Sequence, residues 1–422
     1  MVKFIHAADI HLDSPLKGLQ RYEGAPEGLQ GATRQAFDNL IELALKEAVD
    51  FVLIAGDLYD GDWRDYNTGL YFANRMHRLR EAGIYVYLVR GNHDAASQIT
   101  HQLTLPDNVV DFPCDRPTTI KLEALGVAIH GQGFLERAVT ANLAQDYPNP
   151  IPGFFNIGLL HTVLDGREGH EPYAPCSLAD LLSKGYDYWA LGHVHGRETV
   201  HQEPWIVYPG NTQGRHANEV GEKGCTLVTL QDGQVKSLAH HSLDVLRWCK
   251  LSVDCSAATH PDDVIELIRD LLPKELAKAQ GRVLAVRLEL FGASQAHNQL
   301  HREFERWQNE IRLVLQEVAG DGAWLEKVKL KTTGKRDLDE LAQEHLPVGF
   351  LLNYFAHAEQ DPDLLEEIQR EFQTLKAKVP ADLFFHYPEL NLGDKQALKE
   401  FLRGAQSRVE LALGEEGVAH ED

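Results

Sequence analysis

Seven side chains that could bind a metal ion lie in five short, widely separated segments of the chain. In chain order they are Asp9 and His11, Asp57, Asn92, His161, and His193 with His195. Carboxylate oxygens, amide oxygens and imidazole nitrogens suit Mn, Fe, Zn or Mg, and the set contains no cysteine. Each segment alone is more typical of a turn or of a buried structural histidine, but the ordered set predicts one metal site.

The spacing within the segments also favours a common pocket. Asp9 and His11 are separated by one residue, as are His193 and His195. Because residues i and i+2 of an extended stretch point to the same side, each pair can aim two groups at one point. A glycine directly precedes three of the ligand positions, where it permits a tight turn and a close approach of the backbone.

Each ligand segment directly follows a predicted buried strand. The strands are expected at 2–8, 51–55, 84–89, 155–160 and 186–191, with helices at 33–48 and 70–79 between the first three. This alternation of strands and helices indicates an α/β fold with parallel strands. The carboxyl ends of such strands gather at one edge of the sheet, where ligands bind. We therefore expect the five segments to converge.

The composition limits the function and the location. The 422 residues allow two or three domains. The net charge of −22, from 63 acidic and 41 basic residues, is not that of a typical nucleic-acid binder. Five scattered cysteines without a CxxC pair suggest reduced thiols and a cytoplasmic protein. We expect no signal peptide, because a strand begins at Val2, and no membrane span, because no apolar run reaches about 18 residues.

The five blocks resemble those of the calcineurin-like metallophosphoesterases, which show D-x-H, GDxx[DH], GNH[DE], H and GHxH in this order. The resemblance covers residues 1–245. It implies a four-layer αββα sandwich with two divalent metal ions, with manganese expected and iron, zinc or magnesium as alternatives. One ion would be held by Asp9, His11, Asp57 and His195, and the other by Asp57, Asn92, His161 and His193. Asp57 would bridge the two ions.

The chemistry of two divalent ions supports these roles. Their charge exceeds that of the carboxylates Asp9 and Asp57, so the pocket favours an anionic substrate. A pair of ions can clamp the attacking and leaving oxygens of an in-line displacement, and a metal-bridged hydroxide is the expected nucleophile.

The block Gly91–Asp94 adds candidate catalytic residues to the ligands. The resemblance makes His93 a histidine that binds no metal and lies beside the leaving group, where it could donate a proton or stabilise phosphoryl charge. Asp94 could fix the tautomer of His93, or it could simply cap a helix. Asp60 stands where some relatives carry a catalytic histidine, so it is expected at most to support the ligands.

Three stretches outside the shared blocks are similar to the SbcD-type DNA repair nucleases, nearest to their YhaO-like branch. They are residues 5–15, 186–195 and 208–224. The resemblance implies a two-metal phosphodiesterase that acts on DNA, as an exonuclease or endonuclease subunit in repair. Within the third stretch, Arg215 and His216 are candidate phosphate contacts, although a solvated loop is the alternative.

Four further residues are weaker candidates for contact with DNA. Arg64 and Arg90 could bind the phosphate backbone, and Trp63 and Tyr66 could stack on an unpaired base or simply pack against the protein.

The pattern of elements predicts three domains. They are a phosphoesterase domain at 1–245, a small α+β capping domain at 250–335 and a helical C-terminal region at 337–413. The last strand of the capping domain, at Val328 and Leu330, is expected to be short and exposed. The relatives work with an SbcC-type (YhaN-like) ATPase and form homodimers. We place the ATPase contact on an apolar helical face that could instead pack on its own domain, formed by Leu364, Leu365, Ile368, Phe372 and Leu375.

Two other functions stay open. A phosphoesterase for a small nucleotide or a phospholipid headgroup would fit the acidic charge, whereas the capping domain and the 208–224 loop favour DNA. A scaffold subunit, whose metals organise the fold while its helices bind an ATPase, is the third possibility. The intact ligand set and His93 argue against a scaffold.

Overall fold

The computed structural model describes five continuous ranges and parts of a sixth. They are residues 1–16, 31–61, 66–95, 104–164 and 173–334, followed by 354–355, 357–358, 361–376, 378–379, 384, 387 and 390–416. The strands are β1 Val2–Ala7, β2 Phe51–Ala55, β3 Tyr85–Val89, β4 Val109–Asp111, β5 Thr118–Leu122, β6 Val127–Gln132, β7 Phe155–His161, β8 Tyr188–Gly192, β9 Glu198–Gln202, β10 Trp205–Tyr208, β11 Gly224–Gln231, β12 Gln234–Ser242, β13 Leu246–Asp254, β14 Val283–Ser294 and β15 Ala323–Gly334. The helices are α1 Ala32–Glu47, α2 Asn67–Glu81, α3 Asn92–Ala95, α4 Leu178–Ser183, α5 Pro261–Ala279, α6 His297–Arg302, α7 Phe304–Ala319, α8 Pro362–Lys376 and α9 Lys395–Glu416.

The first sheet has six strands in the order β12-β11-β1-β2-β3-β4. Strands β1 to β4 run parallel, and β11 and β12 extend the sheet in antiparallel fashion. In the parallel part, Ile54 of β2 is level with Ala7 of β1 and Leu88 of β3. This register brings the carboxyl ends of three ligand-bearing strands side by side.

The second sheet has the order β5-β6-β7-β8-β10-β9. Its four middle strands are parallel, and β5 and β9 are antiparallel at the two edges. Leu160 of β7 is level with Leu191 of β8, and His161 is level with Gly192. The predicted α/β class is confirmed. The alternation of strands and helices predicted parallel strands, and both sheets are mixed because antiparallel strands extend them at their edges.

The two sheets pack face to face around an apolar core. Phe4, Phe51 and Leu53 from the first sheet belong to the same buried cluster as Ile157 and Val207 from the second. Helices α1 and α2 cover the outer face of the first sheet, with Phe37 and Phe72 fully buried. The outer face of the second sheet packs against α4 and the residues that follow β6. This layering is that of the expected αββα sandwich.

The chain divides into two compact units. The first contains Met1–Lys250, Lys274–Arg287 and Ala319–Glu326, and the second contains Leu251–Pro273, Leu288–Val318 and Lys327–Asp422. The third sheet has the order β13-β14-β15. Within the second unit, α5 buries Val264 and Ile268, and α7 buries Ile311 and Val314. The predicted domain limits at 245, 250–335 and 337–413 remain predictions.

One expectation about the third sheet was wrong. The strand expected at Val328 and Leu330 spans twelve residues and buries Leu325 and Val328. The alternation of apolar side chains with lysines suggested an exposed strand, but one face of β15 is covered.

No described helix combines the length and the apolar character needed to cross a lipid bilayer.

The sandwich core predicts the effect of one truncation. Leu53 lies on the central strand β2 and is fully buried between the sheets. We expect Leu53→Ala to lower the free energy of unfolding by about 2–5 kcal/mol, because it leaves a cavity in a close-packed core. Urea unfolding measures the change. Leu135→Ala is the matched control, because Leu135 is 71% exposed and should change stability by less than about 0.5 kcal/mol. Equal effects of the two substitutions would contradict the packing.

Candidate metal centre

Five strand ends converge on the site. Strands β1, β2 and β3 lie side by side in the first sheet, and β7 and β8 are neighbours in the second. All seven predicted ligands lie at or just beyond the carboxyl ends of these strands, namely Asp9, His11, Asp57, Asn92, His161, His193 and His195. The expected convergence of distant segments is therefore present in the structure.

The distances place Asp57 in the middle of the ligand set. Its Oδ2 lies 3.8 Å from His11 Nε2 and 3.6 Å from His161 Nε2. His195 Nε2 lies 3.8 Å from Asp9 Oδ1. Three overlapping groups can each present ligand atoms within 4.8 Å of one another: Asp9, His11 and His195; His11, Asp57 and His93; and Asp9, Asp57 and His161. Asp9, His11 and Asp57 each belong to two of these groups, so the three groups form one connected cluster.

The other two predicted ligands are adjacent to this group. Asn92 Oδ1 lies 3.0 Å from His161 Nε2. The backbone N–H of His193 donates to the carboxylate of Asp9, and the His193 ring lies 5.2 Å from the His161 ring, centroid to centroid. All seven predicted ligands thus occupy one locality.

The buried groups fit the presence of cations. Both ring nitrogens of His11 are buried without a well-aligned hydrogen bond to a described residue, although Nδ1 lies 3.3 Å from Asp60 Oδ1. Burial, and then the charge of Asp57, raises the pKa of Asp9 well above its usual value. Two buried carboxylates beside an unsatisfied imidazole are unfavourable unless cations compensate them. The donor set therefore fits divalent metals with oxygen and imidazole ligands.

The backbone at the ligands is strained. Positive φ angles occur at Asp9 (50°), His11 (47°), Asp57 (52°) and His193 (98°). For residues with a side chain this region costs on the order of 1–3 kcal/mol each, and such residues cluster at functional sites. Four of the seven predicted ligands carry this strain, which points to a site held in place by the surrounding fold.

Glycine at position 91 predicts a defined defect. A Cβ at Gly91 would lie 2.3 Å from Asp57 Oδ1 and 2.7 Å from the Asp57 backbone nitrogen. We expect Gly91→Ala to displace the central carboxylate and to weaken metal binding by about 10-fold to 100-fold. Calorimetric titration with Mn²⁺ measures the change. Gly196→Ala is the control, because a Cβ there meets nothing within 4 Å. Unchanged metal affinity in Gly91→Ala would contradict the central position of Asp57.

Hydrogen bonds fix the orientation of two ligand histidines. His161 Nδ1 lies 2.9 Å from the Ala55 carbonyl oxygen, and His195 Nδ1 lies 2.6 Å from Glu219 Oε1. Because both partners accept, each Nδ1 carries the proton and each Nε2 is left with a lone pair. The two Nε2 atoms face Asp57 and Asp9. This is the usual arrangement behind a metal-binding histidine.

The structure corrects the role of Asp94. Its buried carboxylate accepts the backbone N–H groups of Leu58, Tyr59 and Gly91, and it therefore organises two loops rather than the His93 ring. The carboxylate beside His93 is Asp60, whose Oδ1 lies 3.2 Å from His93 Nδ1. Burial lowers the pKa of His93, but the bond to Asp60 and the charges of Asp57 and Asp60 outweigh it and raise the pKa.

Arg215 and His216 both contact carboxylates beside the ligands. Arg215 Nη1 is 3.2 Å from Asp60 Oδ1, which places the guanidinium next to the pair formed by His93 and Asp60. His216 Nε2 is 3.3 Å from Glu219 Oε1, the oxygen that also faces His195. Arg90 donates two hydrogen bonds to Asp111.

The two aromatic candidates are less informative. Tyr66 is 50% exposed. Trp63, like Arg64, lies outside the described residues.

Sequence reasoning missed the role of Glu219. Burial alone would raise its pKa, but His195, Arg215 and His216 outweigh this and hold the pKa of Glu219 well below its usual value. Lys223 Nζ donates to the carbonyl of His195 at 2.8 Å. The available signal was the stretch 208–224, which contains Glu219. The sequence analysis assigned a role there to Arg215 and His216 and predicted no contact between Glu219 and a ligand.

Comparisons with known proteins agree on the family of the site. The family model for calcineurin-like phosphoesterases matches residues 2–197, and the model for the middle domain of metallophosphoesterase YhaO matches residues 248–333. A Bacillus subtilis (strain 168) protein named "Uncharacterized metallophosphoesterase YhaO" is 38% identical over 296 residues, which is 69% of this chain and 72% of that protein.

More distant relatives carry a name from DNA repair. The DNA double-strand break repair protein Mre11 of Methanopyrus kandleri is 28% identical over 236 residues, 50% of this chain and 49% of that protein. The protein of the same name from Thermoplasma acidophilum is 24% identical over 260 residues, 58% of this chain and 67% of that protein.

Proposed function

Since the chain belongs to the calcineurin-like phosphoesterase family, we propose that it is a two-metal phosphodiesterase that cleaves DNA in the cytoplasm as the nuclease subunit of a repair system. Hydrolysis of phosphoesters follows from the family. The observation that carries the proposal is the buried cluster in which the Asp57 carboxylate lies within 4 Å of the ligand nitrogens of both His11 and His161. The names of the two Mre11 relatives support DNA as the substrate.

The residues divide into holders of cations and groups that act on the phosphate. Asp9, His11, Asp57 and His195 would hold one ion, and Asp57, Asn92, His161 and His193 the other, with manganese as the expected metal. When bound, such ions supply charge stabilisation and lower the pKa of a water molecule that attacks phosphorus. His93 faces Asp60 through Nδ1, so its Nε2 is the nitrogen that can donate a proton to the leaving oxygen.

Arg215 supports an anionic substrate at this place. Its guanidinium is largely buried, with 13% of the side chain exposed, and it contacts Asp60 beside His93. A guanidinium fixed in this way can bind a phosphate oxygen once the substrate enters. The net charge of −22 is a sum over the whole chain, and the local charge of two cations and Arg215 opposes it.

The negative charge of the chain favours a second candidate function, the hydrolysis of a small phosphodiester. A small phosphodiester needs no extended basic surface, whereas DNA binding gains from many phosphate contacts. Pure protein with Mn²⁺ should be tested on bis-p-nitrophenyl phosphate and on labelled single- and double-stranded DNA. Cleavage of both substrate types supports the proposal. Turnover of the dye ester without DNA cleavage favours the small substrate, and metal binding without any turnover favours a scaffold.

We also propose an SbcC-type ATPase partner and a homodimer. On the helical face where we expect the ATPase contact, Phe372 is buried and Leu364, Leu365 and Ile368 are half-buried. The side chain of Leu375 is not among those that the structure describes. Because three of these side chains keep part of the face accessible, we retain it as the proposed partner contact, and packing on its own domain is the alternative. Co-purification with such an ATPase, with wild type and with substitutions on this face, tests the contact.

A further inference from the structure

We propose that Glu219 is a positioning residue that sets the affinity of one metal position, the one that includes His195, and links that position to Arg215. The inference rests on the proposed metal-dependent function and concerns how the two positions differ.

The contacts of Glu219 converge on a single buried carboxylate. Its Oε1 accepts from His195 Nδ1 at 2.6 Å. Its Oε2 accepts from the backbone N–H of Arg215 at 2.6 Å and from Asn211 Nδ2 at 2.9 Å. The side chain is 6% exposed, so water cannot readily replace it. Oε1 therefore supports the ligand His195, and Oε2 holds the backbone of the loop.

The two metal positions are supported in different ways. His161 is oriented by a neutral backbone carbonyl, that of Ala55, whereas His195 is oriented by an anionic carboxylate. A carboxylate behind an imidazole raises the basicity of the ligand nitrogen and fixes the ring. Loss of Glu219 should therefore weaken the position of His195 and leave that of His161 intact.

The same carboxylate also restrains Arg215. Beyond the backbone bond, Arg215 Nη2 lies 3.8 Å from Glu219 Oε1 and Nη1 lies 3.2 Å from Asp60 Oδ1. The loop is anchored behind these residues by Gln213, which accepts from the Val245 N–H at 2.9 Å, and by Trp248, whose indole donates to the Gly214 carbonyl at 2.9 Å. A change at Glu219 should thus alter the ligand and the guanidinium together.

Metal titration of Glu219 variants tests the inference. In calorimetric titration with Mn²⁺ we expect the wild type to bind two ions. Glu219→Ala should bind one of them about 100-fold more weakly and the other with unchanged affinity. Glu219→Gln should lose about 10-fold to 100-fold at the same position, because it removes the negative charge and its amide can accept from His195 Nδ1 only with the NH2 group turned toward the donors of Arg215 and Asn211.

Glu222→Gln is the matched control. Glu222 lies three residues away and is 41% exposed, and it contacts Ser242 and Arg247 rather than a ligand. Its metal binding should equal that of the wild type. Thermal unfolding in EDTA shows whether each variant is folded, and Glu219→Gln decides the test if Glu219→Ala does not fold.

Two results would overturn the inference. They are wild-type binding of both ions by Glu219→Ala and Glu219→Gln, and an equal loss at both positions. The failure of the proposed function is separate from these results. A wild type that binds two ions but cleaves no DNA would remove DNA as the substrate, and the titration would still decide the role of Glu219.

Discussion

Asp57→Asn should lower the hydrolysis of bis-p-nitrophenyl phosphate by about three orders of magnitude. Asp57 is buried, belongs to two of the three ligand groups and lies within 4 Å of His11 and His161. An amide at this position brings no negative charge for either cation, so the site loses several kcal/mol of charge stabilisation, and each 1.4 kcal/mol is about tenfold in rate. Initial rates at saturating Mn²⁺ measure the effect.

The change in Tm on addition of Mn²⁺ tests the same variant without an activity measurement. Mn²⁺ should raise the Tm of the wild type, because an ion that binds the folded state stabilises it, and it should raise that of Asp57→Asn little. Asp107→Asn serves as the control, because Asp107 is 79% exposed and pairs with Arg80. A full Mn²⁺ response in Asp57→Asn would show that this carboxylate does not bridge the ions.

His93→Ala should retain its metals and lose about 10²-fold to 10⁴-fold in kcat. The His93 ring is one-third exposed, and its Nδ1 faces Asp60. General acid catalysis by a positioned histidine typically contributes an acceleration of this size. The variant should be assayed on the dye ester and on DNA, with metal content measured on the same preparation by elemental analysis.

The metal content separates two roles for this ring. His93 forms a possible ligand group with His11 and Asp57, so a metal-binding His93 would leave the alanine variant short of metal. Full metal content with low activity identifies a proton donor instead. His77→Ala is the control, because His77 is exposed on α2. Normal activity of His93→Ala would exclude both roles.

The convergence of the candidate ligands could be predicted from the sequence because it depends on local features. Each predicted ligand follows an apolar strand, and the strand ends of an α/β fold meet at one edge. Asp9 and His193 show this most clearly, since they are 184 residues apart and the backbone of one donates to the carboxylate of the other. Order and strand context were sufficient here, because the fold brings these ends together whatever the intervening loops contain.

The supporting contacts could not be predicted in the same way. His93 and Asp94 are consecutive in α3, and consecutive residues on a helix do not face each other. Sequence proximity therefore suggested a pair that helical geometry prevents, while Asp60 reaches the ring from another loop. The hydrogen bond between His195 and Glu219 also joins two side chains that are 24 residues apart in the chain. Such contacts follow from tertiary packing, on which the one-dimensional pattern carries no information.

The unfavourable φ angles at Asp9, His11, Asp57 and His193 bear on protein engineering. Selection for thermostability alone would favour replacements at these four positions. Glycine adopts a positive φ without the steric cost that the native residues carry, and a substitution that changes the turn can remove the same cost. Heat-resistant variants chosen without an activity screen should therefore accumulate changes where cations are expected to bind. A campaign that protects these positions would have to gain its added stability in the sandwich core and in the surface helices.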